Sequence, residues 1–159
     1  MANLTTEQVW EEIDSNLFAV VGMVSARQQA RTAGIVYVVR DRKLYFATGK
    51  EEWKTKHIMG NPQVSVTVAI PKRVPFMPWI KVPAATITFA GVATVQDQTD
   101  ADPEVLKALH QGVEQSDEEV AFACVIGIAP VGDFVTYGVG VSLMTMRDTE
   151  KARGRAAVG

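Results

Sequence analysis

The chain has 159 residues, a formal net charge of −2, and 47% hydrophobic against 21% charged residues. That is the size and balance of one globular domain with a real core, and it excludes a disordered chain or one with an electrostatic bias toward nucleic acid or anionic lipid. A single cysteine, Cys124, excludes an intrachain disulfide, and two histidines leave any metal site to carboxylate clusters, of which the sequence has none.

Thr5 and Gln8 form a capping box before Val9, Trp10 and Ile13, which share one helical face, so a first helix is expected to run to about Asn16. Leu17 to Val24 is apolar on both alternations and reads as a central strand buried on both sides or shielded by a partner. Ile35–Val39 and Leu44–Thr48 flank the turn Arg40-Asp41-Arg42-Lys43, the spacing of an antiparallel hairpin. Glu51 to Gly60 reads as a short helix with acidic residues in its first turn and Pro62 beyond its end. Val64, Val66, Val68 and Ile70 alternate with small or polar residues as a one-sided strand.

Pro71 to Pro83 holds four of the seven prolines, too many for a central strand, and is expected as a loop. Ala85 to Gln96 resumes strand character, with Gly91 a bulge or a point of close approach. Asp102-Pro103-Glu104 opens an amphipathic helix carrying Val105, Leu106, Leu109 and Val113 to about Gln115. Val120–Ala129 and Phe134–Val141 read as two strands around Pro130-Val131-Gly132-Asp133. Residues 1–146 are expected as a single domain, and the polar tail from Arg147 to Gly159 as flexible unless docked. At least six strands joined by short turns, with few connections long enough for a parallel crossover, favour a closed or nearly closed antiparallel barrel flanked by short helices, a mainly β (α+β) fold.

The chemistry concentrates between Arg31 and Pro62. Thr48 at a strand end, followed by a helix bearing Lys54, can present a hydroxyl, backbone N–H groups and a cation to a phosphate, although Glu51 and Glu52 in the first turn would repel one. Arg31 and Thr32 open the strand expected to pair with that of Thr48, which brings them within reach of the same ligand. Tyr37, Tyr45, Phe46 and Trp53 are candidates to line a flat ring, His57 shares a face with Trp53, and His110 is expected to face solvent. Neither histidine stands in a nucleophile motif, so a bound cofactor is expected to carry any chemistry. No apolar run approaches a membrane span, and the N-terminus lacks a charged segment feeding a hydrophobic one, so a cytoplasmic protein is expected, with neither membrane nor nucleic acid as partner.

Leu44-Tyr45-Phe46-Ala47-Thr48, then Lys54, Ile58 and Asn61-Pro62-x-Val64-Ser65-Val66, and the later Phe89-x-Gly91-x-Ala93-x-Val95 together resemble the pyridoxamine 5′-phosphate oxidase-like family, the FMN-binding split barrels. The resemblance spans Leu17 to Val95 and, more loosely, the closing strands through Tyr137. It implies a split antiparallel β-barrel that forms a homodimer with FMN in grooves made by both subunits. Arg31 and Thr32 would lie along the flavin edge or phosphate, Phe46 and Ala47 would give backbone contacts, and Thr48 and Lys54 would bind the phosphate. A flavin-dependent oxidoreductase acting on a small molecule is implied, with a non-catalytic binder of flavin, F420 or haem as the alternative. The family's vitamin B6 oxidases end in a motif with arginine and proline; this chain ends Arg153-Gly154-Arg155-Ala156-Ala157-Val158-Gly159, so B6 oxidation is not expected. The segment Pro71 to Pro83 would line the substrate side of the groove or form an interface loop.

Overall fold

The computed structural model describes residues 1–159. Its strands are β1 (Phe18–Val24), β2 (Ala30–Val36), β3 (Val38–Arg40), β4 (Lys43–Gly49), β5 (Gln63–Ile70), β6 (Ala85–Asp97), β7 (Ala123–Tyr137) and β8 (Arg153–Ala157). The helices are α1 (Thr6–Asp14), α2 (Trp53–Gly60), α3 (Pro103–His110), α4 (Asp117–Phe122) and α5 (Thr149–Ala152). All eight strands belong to one sheet in the order β2-β1-β5-β6-β7-β4-β3, with β8 added to β7, and every ladder is antiparallel.

Only Tyr37 separates β2 from β3, and its N–H donates to the Leu17 carbonyl at 3.0 Å. One nearly continuous strand therefore pairs with β1 in its first half and with β4 in its second, which joins the two ends of the sheet and closes a barrel. The closure is partial. The β3–β4 ladder stops at Tyr45, and β2 has no strand on the side away from β1, so a split opens between β2 and the end of β4. Asp41 and Arg42, both with positive φ (49° and 56°), make the tight turn at the closed end.

The main core is a cluster of 24 buried residues, drawn largely from alternate positions of every strand but β3 and from Val9, Trp10 and Ile13 of α1. In β1, Ala19, Val21 and Met23 point inward, whereas Phe18 is 47% exposed and Val20 and Val24 are half-buried, so the strand is flanked on both edges but covered on one face only. Gly91 is a point of close approach: a Cβ there would lie 2.6 Å from Ile128 Cγ2. A register irregularity falls nearby, between Thr88 and Ala90.

Several expectations are corrected. The hairpin pairs only Val38–Arg40 with Lys43–Tyr45, because the residues before Tyr37 turn to β1. The two strands expected around Pro130 are the single β7, in which Pro130 falls between the ladder to β4, ending at Ile128, and the ladder to β8, starting at Asp133; no donor is needed there. Val120 belongs to α4, and α3 ends at His110, where Gln111 takes a left-handed conformation (φ 50°). The tail is built into the fold as α5 and β8, with the Trp10 indole donating to Val158 O at 3.0 Å and the Thr6 hydroxyl to Ala157 O at 2.8 Å.

Candidate functional site

Thr48 lies near the open end of β4 in the core-facing register of Leu44 and Phe46, and is half-buried. The Thr55 hydroxyl donates to Gly49 O at 2.8 Å, which fixes the entry of α2 beneath this strand end. Helix α2 then crosses the open end of the barrel, with Ile58 buried in the core and its body against β1 and β6.

The start of α2 differs from the other α-helices. Side chains of Thr5, Asp102, Ser116 and Asp148 cap α1, α3, α4 and α5, whereas Glu52 at the N-cap of α2 makes no capping hydrogen bond. The amides of the first turn of α2 thus keep their capacity for an anion. The acidic residues expected inside that turn stand before it: α2 begins at Trp53. Glu51 pairs with Lys56 at 2.9 Å, which lowers its carboxyl pKa, and Glu52 lies 3.6 Å from Lys54 Nζ. Each glutamate is offset by a lysine, and Lys54 is 21% exposed, its stem laid along the protein as its spacing from Ile58 predicts.

Arg31 and Thr32 do not pair with β4. They pair with Met23 and Gly22 of β1, and reach the open end because the β1–β2 turn lies there with the end of α2. Arg31 holds the core-facing register of Ala33 and Ile35, its guanidinium donating to Gln29 Oε1 at 3.0 Å, while Thr32 is on the outer face. Phe46 is buried in the core, so only its backbone is available. Ala47 is exposed, and since the β3 ladder has ended, alternate backbone groups between Phe46 and Thr48 face the split.

The aromatic candidates separate. Tyr37 is a core residue whose hydroxyl donates to Ile13 O at 2.6 Å, and burial together with the Asp14 charge raises its pKa. Tyr45 lies over Gly127 beneath α3, in a second small cluster with Val105 and Val125. Trp53 alone stays on the surface near the site, its ring edge-on to His57 at 5.7 Å. His110, expected in solvent, is hydrogen-bonded at Nε2 to Gln98 Nε2 at 3.0 Å, and Gln98 also reaches Gln115 at 2.8 Å.

Besides the small hollow between the β1–β2 turn and the end of α2, two larger cavities border this end. One of about 750 Å³ lies between α2 and β6, lined by Thr55, Met59, Gln96 and Cys124, with Lys50 and Asp97 paired there at 2.9 Å. Burial raises the Cys124 thiol pKa, partly offset by a hydrogen bond with Thr55, which makes it a poor nucleophile. The other, about 310 Å³, lies beside Ala47 and Thr48 and is walled by His110, Gln115, Glu119 and Phe122. Sequence reasoning missed Lys50, Asp97 and the α3–α4 wall, because strand register alone brings these distant segments together. No group of three or more His, Cys, Asp or Glu side chains is placed to hold a metal ion, and no helix is long and apolar enough to cross a membrane.

No family model matches the sequence, and no curated protein matches it. Solved structures do match. A candidate pyridoxamine 5′-phosphate oxidase from Listeria innocua superposes with a TM-score of 0.61 at 17% identity, covering 79% of this chain and 92% of that one. An F420 reductase gives 0.56 at 17%, covering 78% and 93%. The haem storage protein of Vibrio cholerae gives 0.65 at 13%, covering 86% and 98%. At these identities the likeness establishes the fold, and these three proteins are named for different ligands.

Proposed function

We propose that this chain, which has the split-barrel fold of the pyridoxamine 5′-phosphate oxidase-like proteins, is a homodimeric FMN-binding oxidoreductase that passes hydride or electrons to or from a small molecule. The observation that carries the reading is the open end of the barrel. The α2 N-terminus has no side-chain cap, the flanking glutamates are offset by lysines, and Lys54 and Thr48 come from the two elements that meet at Gly49. Those residues suit a phosphate. Lys54 would exchange its 3.6 Å contact with an exposed glutamate for a charge-assisted bond, the Thr48 hydroxyl would donate a second, and Arg31 stands at the same end of the barrel.

FMN, when bound, supplies the two-electron chemistry that no side chain here provides. The chain's own part is binding and orientation: the free edge of β4 between Phe46 and Thr48 offers backbone donors and acceptors to the polar rim of a flat ring, and the rigid barrel holds that edge. An alternative reading of the same fold is a flavin, F420 or haem binder without turnover; the haem storage protein among the matching structures motivates it.

The test begins with the absorption spectrum of the purified protein, followed by titration of the cofactor-free protein with FMN. A flavin band, or quenching of flavin fluorescence, is expected. Lys54→Ala should weaken FMN binding about 10- to 150-fold, the equivalent of about 1.5–3 kcal/mol for a charge-assisted hydrogen bond. Colourless protein that does not quench FMN refutes the proposal. Bound flavin that no nicotinamide or F420 donor reduces selects the non-catalytic reading.

A further inference from the structure

The longest connection between sequential strands that contains no helix runs from Ile70 to Ala85. It is folded into two successive turns, with Met77 N–H donating to Val74 O (3.2 Å) and Ile80 N–H to Met77 O (3.1 Å). It turns its apolar side chains outward: Phe76 is 98% exposed and Trp79 73%, with Phe76 held in a left-handed conformation at φ 63°. Lys72, Arg73 and Lys81 stand among them, and none makes an ion pair. No aspartate or glutamate occurs between Glu52 and Asp97. A surface that combines exposed aromatics with unpaired cations fits an acidic, partly apolar partner.

The chain carries such a surface itself. Glu114, Asp117, Glu118 and Glu119 in the α3–α4 segment are exposed and in no ion pair, beside Val113 (71% exposed) and Phe122 (64%); only Glu119 is held locally, its carboxylate accepting from the Ser116 N–H at 2.8 Å in the capping box of α4. Within one protomer the two cannot meet. The basic loop enters β6 at Ala85 and the acidic segment follows its other end at Asp97, and a strand of 13 residues spans about 40 Å. A second copy related by a two-fold axis and running antiparallel brings each loop to the other's acidic segment, making two identical contacts. Between the two ends lies a surface suited to a second copy: the outward positions of β1, β2, β5 and the first part of β6 carry no charge, among them Val20, Gly22, Thr32, Ser65, Thr67 and Thr88.

We infer that the loop from Pro71 to Ala84 of one copy docks on the Val113–Phe122 segment of a second copy and so closes the wall of the cavity beside Thr48. This deepens the homodimer of the proposed function, since Glu119 and Phe122 of the receiving segment line that cavity. The site of each copy is completed by the other.

Charge reversal tests it, read by sedimentation equilibrium on the full chain without added cofactor, so that the outcome does not depend on FMN. Lys72→Glu with Arg73→Glu and Lys81→Glu should raise the dimer dissociation constant at least tenfold. Glu114→Lys with Asp117→Lys and Glu118→Lys, which spares the Glu119 capping box, should do the same. Both sets in one chain should restore the dimer to within about threefold of the original, which also shows that neither set acts by unfolding. A monomeric parent protein at 100 µM overturns the inference, as do reversals without effect or without mutual rescue. So does a parent dimer indifferent to both sets whose loop instead binds phosphatidylserine vesicles. Loss of FMN binding with the dimer and its rescue intact would strike the cofactor reading alone.

Discussion

Lys54 and Thr136 show how differently two polar side chains can be used. Lys54 is partly buried with one weak contact at 3.6 Å, a cation held in place and available to a ligand. Thr136 is 1% exposed, faces the backbone of β8 near Gly154, and its hydroxyl has no hydrogen-bond partner. A buried hydroxyl left unpaired costs about 1–3 kcal/mol, and valine has nearly the same shape. Thr136→Val is therefore expected to stabilise the protein by about 1 kcal/mol, seen as a higher urea midpoint at unchanged slope; a lower midpoint would mean the hydroxyl has a partner in solution. That the strand end of Thr48 leads directly into the helix of Lys54 was legible in the sequence, because a strand end, a helix start and their spacing are local. The fate of Arg31 was not, since it depends on which neighbour its strand selects, and the switch at Tyr37 sends it to β1. The position of the glutamates turned on where a helix begins, a matter of two residues that decides whether they oppose the macrodipole site or precede it.

Helix α1, β4 and β5 came through from sequence to structure because each is specified by its own pattern: a capping box or a strict alternation of buried and exposed positions. β8 was unreadable for the opposite reason. Arg153-Gly154-Arg155-Ala156-Ala157 has little strand propensity of its own, and it forms a strand because β7 offers a free edge from Asp133 to Tyr137. Gly154 suits that place, as a Cβ there would lie 2.6 Å from Thr136 Oγ1. Ala157 at its end and Val158 just beyond it accept two donors from α1, so this segment ties the first helix to the sheet. Deleting Arg153 to Gly159 should lower stability by at least about 3 kcal/mol, from a stranded indole donor and an unpaired strand edge. Chemical denaturation measures this, and the freed β7 edge should make the truncated protein more prone to aggregate. A truncated chain as stable as the parent would return the tail to the flexible status its composition suggests.

At the scale of the molecule, the antiparallel barrel could be inferred from strand count and short turns, whereas its split came only from the family resemblance and not from the pattern of residues, because closure depends on one strand serving two neighbours across Tyr37. The proposed ligand site rests on that split, which leaves the end of β4 unpaired where α2 crosses the open end with its N-terminus uncapped. A site made from a missing ladder should leave a stability deficit that a ligand repays. Binding to the folded state alone adds RT ln(1 + [L]/Kd), about 2.7 kcal/mol at a ligand concentration of 100 Kd. For a chain of this length each kcal/mol moves the melting temperature by about 2–4 °C, so saturating FMN should raise it by about 5–10 °C. Riboflavin, which has the ring without the phosphate, should produce a much smaller shift if Thr48, Lys54 and the α2 amides are the anchor. Equal shifts with FMN and riboflavin would place the binding energy on the ring and remove the phosphate from the account; a shift with haem in place of either flavin would reassign the open end to a different ligand.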